Sequence, residues 1–225
     1  MPPAGWAVER ASGSAATFHA RPLEGPLPRA VHVWEVEAPA LVLGSAQPEA
    51  VVDAAACAAA GVEVVRRRSG GGAVLLDPGA AVWVDVELPR GDERWDDDVG
   101  RAAWWLGERW GAALATLGVA DPQVHRGGLL TSRWSSLVCF GGLGPGEITA
   151  GPGGPKVLGI SQRRTRAGAR FQCAVPLTWD IARLAGLLHL DEADRATLVG
   201  DLADAVAPVA APPPDVVAAV LTSLV

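Results

Sequence analysis

The chain has 225 residues, of which 49% are hydrophobic and 20% are charged, a balance typical of a folded globular protein and incompatible with disorder. Its 19 basic and 25 acidic residues give a formal net charge of −6, which argues against a nucleic-acid-binding protein with a broad basic surface. No apolar run approaches the roughly 20 residues that a membrane span needs, and the amino terminus lacks a signal pattern. We therefore expect a cytoplasmic protein without a membrane partner.

The first part of the sequence predicts a surface segment followed by short strands. Residues 1–30 are rich in Pro, Gly and Ala and are expected to wrap over the surface of one domain that spans residues 31–225. Pro48 and Gly61 bound one compact helix. Apolar or β-branched runs predict strands at Val31–Val36, Ala40–Leu43, Val62–Val65, Ala73–Leu76 and Ala81–Leu88.

The rest of the sequence predicts a long helix, then strands among glycine-rich loops, then further helices. The long helix is expected to begin near Trp95, because three aspartates follow it, and to end at Gly118. Short apolar stretches between Val124 and Val175 favour strands, and helical patterns follow at 178–188, 191–206 and 214–224. Strands and helices do not alternate strictly, so the pattern indicates a single α+β domain.

The segment Arg66–Gly79 reads RRRSGGGAVLLDPG and joins arginines to glycines at the end of a predicted strand. Glycines let backbone N–H groups approach an anion, and arginine forks bind phosphate or carboxylate groups. The spacing of a P-loop is absent. The segment predicts either an anion-binding loop or a basic strand end followed by a tight hairpin.

A second segment, GGPKVLGISQRRTR, carries Lys156, which is the single lysine of the chain. A lysine is a compact charge that can bind an oxyanion or assist proton transfer. The alternative is a solvated lysine in a loop.

A third segment, SSLVCFGGLGPGE, presents Cys139 after an apolar strand end. The residue is either a nucleophile with a nearby cation or a buried, inert thiol. Cys57 lies among alanines and is assigned to the core, whereas Cys173 is left open. The four histidines have no metal-ligand spacing, so no metal site is expected.

Taken in this order, the three segments resemble the catalytic domain shared by lipoate–protein ligases, octanoyltransferases and biotin–protein ligases. The RRxSGGGAVxxD pattern at Arg66–Asp77 looks like the family's acyl-binding loop, and the GxKxxGxxQ pattern at Gly154–Gln162 looks like the segment with its essential lysine. The resemblance covers Val31–Leu177 and implies an α+β domain built on a single mixed sheet.

The resemblance also implies a set of site residues. Lys156 and Cys139 would be catalytic. The residues that would bind acyl or phosphate groups are Arg66, Arg67, Ser69, Gly70, Gly71, Gly72, Ala73, Asp77, Gly159 and Gln162. Two positions depart from the family pattern. Leu76 stands where the loop usually has a histidine, and Cys173 takes the histidine place of a Gln-His-Gly triplet.

Three functions are compatible with this resemblance. Cys139 followed by Phe140 is most similar to the octanoyltransferases that use a cysteine nucleophile, which attach an octanoyl or lipoyl group to a lysine without a cofactor. An ATP- and Mg²⁺-dependent lipoate–protein ligase is the alternative, although the Asn-Asp pair usual in ligases is missing. A non-catalytic lipoyl-binding protein is the third. Implied partners are acyl carrier protein and the lipoyl carrier domains of 2-oxoacid dehydrogenases or the glycine cleavage H protein.

Overall fold

A computed structural model describes residues 5–224 and contains ten strands and six α-helices. The strands are β1 (Ala7–Gly13), β2 (Ala30–Val36), β3 (Ala40–Leu43), β4 (Glu63–Arg66), β5 (Val74–Leu76), β6 (Ala81–Pro89), β7 (Pro122–Val124), β8 (Ile148–Ala150), β9 (Lys156–Arg164) and β10 (Gly168–Pro176). The helices are α1 (Ala15–Ala20), α2 (Ala54–Ala59), α3 (Trp104–Thr116), α4 (Ile181–Gly186), α5 (Glu192–Leu202) and α6 (Pro213–Ser223). This content confirms the α+β class.

Seven strands form one large mixed sheet in the order β1-β2-β6-β10-β9-β8-β7. The strand β1 runs parallel to β2, and the other neighbours are antiparallel. A second, smaller sheet has the order β4-β3-β5, with β3 parallel to β4 and antiparallel to β5. The family resemblance predicts a single mixed sheet, and the structure has this second, smaller sheet in addition.

The central strand β6 is buried on both faces, although its sequence alternates as a half-exposed strand would. On one face, Val84 and Val86 pack in a core that includes Trp110 of α3 and Val216 of α6. The opposite face of β6 carries Trp83 in a second cluster with residues of the small sheet. The large sheet therefore lies between a helical layer and the small sheet.

The expectation of a surface segment over residues 1–30 is wrong for the described part, which starts at residue 5. Residues 7–13 form the edge strand β1, and Ser14 caps α1 by accepting a hydrogen bond from the Thr17 N–H. Phe18 is buried and stacks on Trp34 with ring centroids 4.4 Å apart. Composition predicted a loop here because the short edge strand is polar and lacks a clear alternation.

Helix starts were the least accurate part of the sequence prediction. The long helix begins later than Trp95, but one of the three aspartates does cap it: Asp98 Oδ1 accepts hydrogen bonds from the Gly100 and Arg101 N–H groups. A 3₁₀ turn at Arg101–Ala103 follows and runs directly into α3 at Trp104. The compact helix predicted from Pro48 is divided into a 3₁₀ turn at Glu49–Val51 and α2, which Asp53 caps. None of the helices within residues 5–224 is long and apolar enough to cross a membrane.

Candidate active site

An apolar cavity lies between the two sheets. Val42, Val74 and Leu76 line it from the small sheet. From the large sheet it is lined by Trp83, Gly159, Ile160, Ser161, Gln172, Cys173 and Ala174. His19, Arg67, Cys139 and Phe140 complete the wall. An apolar enclosure of this kind suits a hydrocarbon chain.

The cavity follows one row of residues across the large sheet. Gly159 of β9 pairs with Ala174 of β10, which pairs with Trp83 of β6. The next row on the same face is polar and contains Ser161 and Gln172. The small residues Gly159 and Ala174 leave the space that the cavity occupies. A Cβ atom on Gly159 would lie 3.1 Å from the Phe140 ring.

The arginine side chain nearest to the cavity is Arg67, which organises the glycine loop. Its Nη2 atom donates to the carbonyl oxygens of Gly70 and Gly72, both at 2.8 Å, and lies 3.8 Å from Cys139 Sγ. The Arg67 residue is 4% exposed. The guanidinium therefore fixes the loop and places a positive charge beside the thiol.

Main-chain pairing joins the glycine loop to the cysteine segment. The Ala73 N–H donates to Leu137 O at 2.8 Å, and the Cys139 N–H donates to Ala73 O at 3.0 Å. A Cβ atom on Gly72 would lie 2.6 Å from the carbonyl carbon of Val138, so only glycine permits this approach. The pairing sets the position of the Cys139 backbone.

Gly71 has a left-handed backbone with φ of 100°. A Cβ atom there would lie 2.8 Å from Arg67 Nη2 and 3.4 Å from Cys139 Sγ. Glycine is thus required at this position both by the dihedral angle and by the two reactive side chains.

Cys139 is the accessible thiol among the three cysteines, because it is partly buried whereas Cys57 and Cys173 are fully buried. It begins a 3₁₀ turn over Cys139–Gly141. Burial, helped by the nearby Asp53 charge, raises the pKa of the Cys57 thiol, and burial also raises that of Cys173. Both are inert core thiols, so the sequence assignment of Cys57 is confirmed and the role of Cys173 is structural.

Lys156 is buried, which excludes the alternative of a solvated loop lysine. Its Nζ atom lies 2.7 Å from Glu147 Oε2, and it donates to the carbonyl oxygens of Gly142 at 3.1 Å and Cys139 at 3.5 Å. Nζ also lies 4.7 Å from the centroid of the Phe140 ring. The ammonium is therefore held directly against the backbone of the cysteine turn.

Glu147 is a site residue that sequence reasoning missed. Its carboxylate accepts hydrogen bonds from the Gly144 N–H at 2.6 Å and the Ile160 N–H at 3.0 Å, in addition to its contact with Lys156. The residue is 4% exposed. No local pattern in the sequence marks Glu147 as buried, although a glutamate buried to this degree is expected to be paired.

His19 was also missed, since it lies far from the three segments in sequence. Its Nδ1 atom lies 3.2 Å from Gln172 Nε2, and its ring lies 4.6 Å from that of Trp83. Burial, followed by the charges of Arg67 and Arg170, lowers the pKa of His19 to about 3. The cavity wall is therefore neutral at this position at physiological pH.

Other predicted site residues lie around this centre in supporting positions. The Ser69 hydroxyl contacts Ser161 Oγ at 2.9 Å and donates to Gln172 Oε1 at 3.0 Å. Gly70 and Gln162 line an open cleft next to the cavity. Leu76 and Cys173, which replace the family's histidines, both line the apolar cavity.

Arg66 and Asp77 are not brought to the thiol. Arg66 donates to the carbonyl oxygens of Gly44 at 3.1 Å and Gln47 at 2.5 Å, so it fixes a neighbouring turn. Asp77 accepts two hydrogen bonds from Arg183, both at 2.9 Å, in a groove that shares Val74, Leu76, Phe140 and Ala174 with the apolar cavity. An acyl- or phosphate-binding role for either side chain stays a prediction.

The open cleft reaches Cys139 from outside the cavity. It is lined by Gly70, Gly71, Gly72, Val99, Gly100, Ala103, Leu129, Ser135, Cys139, Gly142, Gly144, Pro145, Glu147, Ile160, Ser161 and Gln162. Val99 and Leu129 are large apolar residues that are more than half exposed. Cys139 lines both the cavity and the cleft, so the residue lies where the apolar cavity and the cleft meet.

Comparison with known proteins identifies the family. Residues 10–216 match the lipoyl protein ligase A/B catalytic domain, so the chain belongs to this family. No curated protein matches the chain in a sequence comparison.

Solved structures share the fold at low sequence identity. The bipartite lipoate protein ligase of Thermoplasma acidophilum, studied with its E2 lipoyl domain, has a TM-score of 0.76 at 17% identity, covering 97% of this chain and 81% of that chain. A lipoate-protein ligase A bound with ATP gives 0.67 at 16% identity, covering 97% and 83%. LipL1 of P. falciparum in complex with lipoate gives 0.67 at 11% identity, covering 98% and 61%.

Proposed function

We propose that the chain is an acyltransferase of lipoate metabolism that attaches an octanoyl or lipoyl group to a lysine of a lipoyl carrier domain through a thioester on Cys139. The observation that carries the proposal is the position of this thiol between the apolar cavity and the open cleft. The cavity would hold the hydrocarbon chain, and the cleft would admit first the acyl carrier protein and then the acceptor.

In the first half of the reaction, the Cys139 thiolate attacks the carbonyl carbon of an acyl thioester. The tetrahedral intermediate then expels the thiolate of the carrier's pantetheine arm, which takes a proton, and the acyl group remains on Cys139. The Arg67 guanidinium lies beside the attacking sulfur, because its Nη2 is 3.8 Å from Cys139 Sγ.

In the second half, the amine of the acceptor lysine attacks the acyl-cysteine thioester. The amine loses a proton as the amide forms, and Cys139 leaves as the thiolate, which restores the enzyme. Lys156 Nζ lies 3.5 Å from the backbone carbonyl oxygen of Cys139, so its positive charge would be near the acyl carbonyl held on this residue, which becomes an oxyanion in each half.

The contact of Lys156 Nζ with Glu147 Oε2 at 2.7 Å holds the lysine side chain against the cysteine turn, and this fixed position supports an electrostatic role.

The ATP-dependent alternative fits these residues less well. Arg66 and Arg67, which were expected to hold phosphates, are already committed to backbone carbonyls. We therefore assign no reaction step to ATP or Mg²⁺.

The test is incubation of the purified chain with octanoyl acyl carrier protein, without ATP, followed by intact-mass analysis. A mass gain of one octanoyl group on the chain, lost again when an unmodified lipoyl domain is added, supports the transferase. Acylation of the domain that requires free lipoate and ATP would instead establish a ligase. Binding of lipoylated domains with no acylation under either condition would establish the non-catalytic alternative.

A further inference from the structure

Trp83 lies at one end of the row of residues Gly159, Ala174 and Trp83 that lines the apolar cavity. Gly159, at the other end of the row, lies beside Lys156, since a Cβ on Gly159 would be 3.5 Å from Lys156 Cε. Ala174 separates the two residues, because it pairs with Gly159 on one side and Trp83 on the other. Two strand spacings correspond to roughly 10 Å between the ends.

The indole of Trp83 is fixed in place from three sides. Its Nε1–H donates to Asp85 Oδ1 at 2.7 Å, and its ring contacts those of His19 at 4.6 Å and Phe18 at 5.8 Å. The residue is 5% exposed. A side chain held by a buried hydrogen bond and two aromatic neighbours cannot swing aside for a longer ligand without losing these contacts.

The geometry points to Trp83 as the residue that limits the length of the acyl chain this protein accepts. The inference rests on the proposed function and adds the residue that sets the upper limit of the acyl chain length. The carbonyl lies at Cys139 and Lys156, and the chain runs across Gly159 and Ala174 until its terminal carbons meet the indole. Each methylene buried before that point adds affinity, whereas the first methylene beyond it must displace the indole.

The chain offers a matched control for this role. Trp34 pairs with Trp83 on the neighbouring strand, is also 5% exposed and belongs to the same apolar cluster. It does not line the cavity. Substitution of either tryptophan removes an indole from the same part of the core, but only Trp83 would leave its space to a ligand.

The experiment measures binding of hexanoate, octanoate, decanoate and dodecanoate to the full chain by calorimetry, in the parent and in Trp83→Ala and Trp34→Ala. In the parent, affinity should rise roughly tenfold from hexanoate to octanoate, because two methylenes are buried, and then fall for dodecanoate. Trp83→Ala should move the optimum to decanoate or dodecanoate, and Trp34→Ala should keep the parent optimum. Trp83→Phe serves if the alanine variant does not fold, and should shift the preference in the same direction by less.

An unchanged optimum in the Trp83 variants, or an equal shift in Trp34→Ala, would overturn the assignment. The same chain lengths, offered as acyl carrier protein thioesters and followed by intact mass, test the chemistry separately. A shifted binding optimum with no adduct on Cys139 would refute the proposed transfer and leave the length limit standing. If adducts form on Cys139 but the parent and all variants share one optimal chain length, the proposed transfer stands and the length limit at Trp83 is refuted.

Discussion

Glu147 Oε2 lies 2.7 Å from Lys156 Nζ, and both residues are almost completely buried. Removing one partner of a buried ion pair is costly, because the remaining charge is left without solvent and without a partner. In this protein the pair also determines where the ammonium can lie relative to the cysteine turn, so stability and reactivity depend on the same contact.

Lys156→Met should therefore abolish acyl transfer and destabilise the protein by about 3 kcal/mol, because it leaves the Glu147 carboxylate uncompensated. The double variant Lys156→Met/Glu147→Gln should recover part of that stability, since the glutamine is neutral, and none of the activity. Urea unfolding and the rate of domain acylation measure the two effects. If the double variant were active, Lys156 would have no role in catalysis.

Arg67→Lys should lower the rate of Cys139 acylation and cost about 2 kcal/mol of stability, because a lysine cannot make the forked hydrogen bonds to Gly70 and Gly72. Arg66→Lys is the matched control, since the adjacent arginine contacts a different turn. Its acylation rate should stay near that of the parent. Equal losses in both variants would indicate a general requirement for arginine in this loop.

Gly71→Ala should reduce activity much more than Gly79→Ala. Both glycines have a positive φ, so each substitution introduces backbone strain of about 1–2 kcal/mol. Only at Gly71 would the added methyl group meet Arg67 and Cys139, because no atom lies within 4 Å of a Cβ on Gly79. Thermal unfolding should show similar melting temperatures for the two variants, and the acylation rate should separate them. Similar activity would mean that the loop is structural only.

Iodoacetamide should label Cys139 in the native protein and leave Cys57 and Cys173 unmodified until urea is added. Alkylation requires an accessible thiolate, and burial raises the pKa of the other two thiols. Peptide mass mapping identifies the labelled residue, and octanoyl acyl carrier protein should protect it. Cys139→Ala should lose transfer, whereas Cys57→Ala should retain it. Full transfer by Cys139→Ala would eliminate the covalent route.

His19 should make stability depend on pH below neutrality. Because its pKa is lowered from 6.5 to about 3 in the folded protein, the unfolded chain binds the proton first as the pH falls. The contribution of neutral His19 to the free energy of unfolding is complete above pH 6.5 and is lost progressively towards pH 3. Between pH 7 and pH 5 this amounts to about 2 kcal/mol.

The check is urea unfolding of the parent and His19→Gln at these two pH values. The glutamine cannot titrate, so the variant should lose about 2 kcal/mol less than the parent between pH 7 and pH 5. An equal pH dependence in the two proteins would show that His19 is protonated in the folded state.

Sequence patterns located most of the strands and the centre of the candidate site, for physical reasons that differ from residue to residue. Runs such as Ala40–Leu43 are apolar because both faces are covered, and Gly71 is required by a backbone angle, so each leaves a local signal. The partners of Lys156 and Arg67 leave little local signal, because they are brought together only by tertiary contacts. For the same reason the sequence does not distinguish the roles of Arg66 and Arg67. The two residues are adjacent and chemically identical, and only the structure shows which way each side chain points.

The pairing of Ala73 with Val138 and Cys139 has a consequence for how this protein can change over time. The sulfur is positioned by main-chain N–H and carbonyl groups, which nearly every residue possesses. Side chains around the thiol can therefore be exchanged without moving it, provided that the glycine which admits the close approach is kept. Such a device lets the position of the thiol survive extensive exchange of the surrounding side chains.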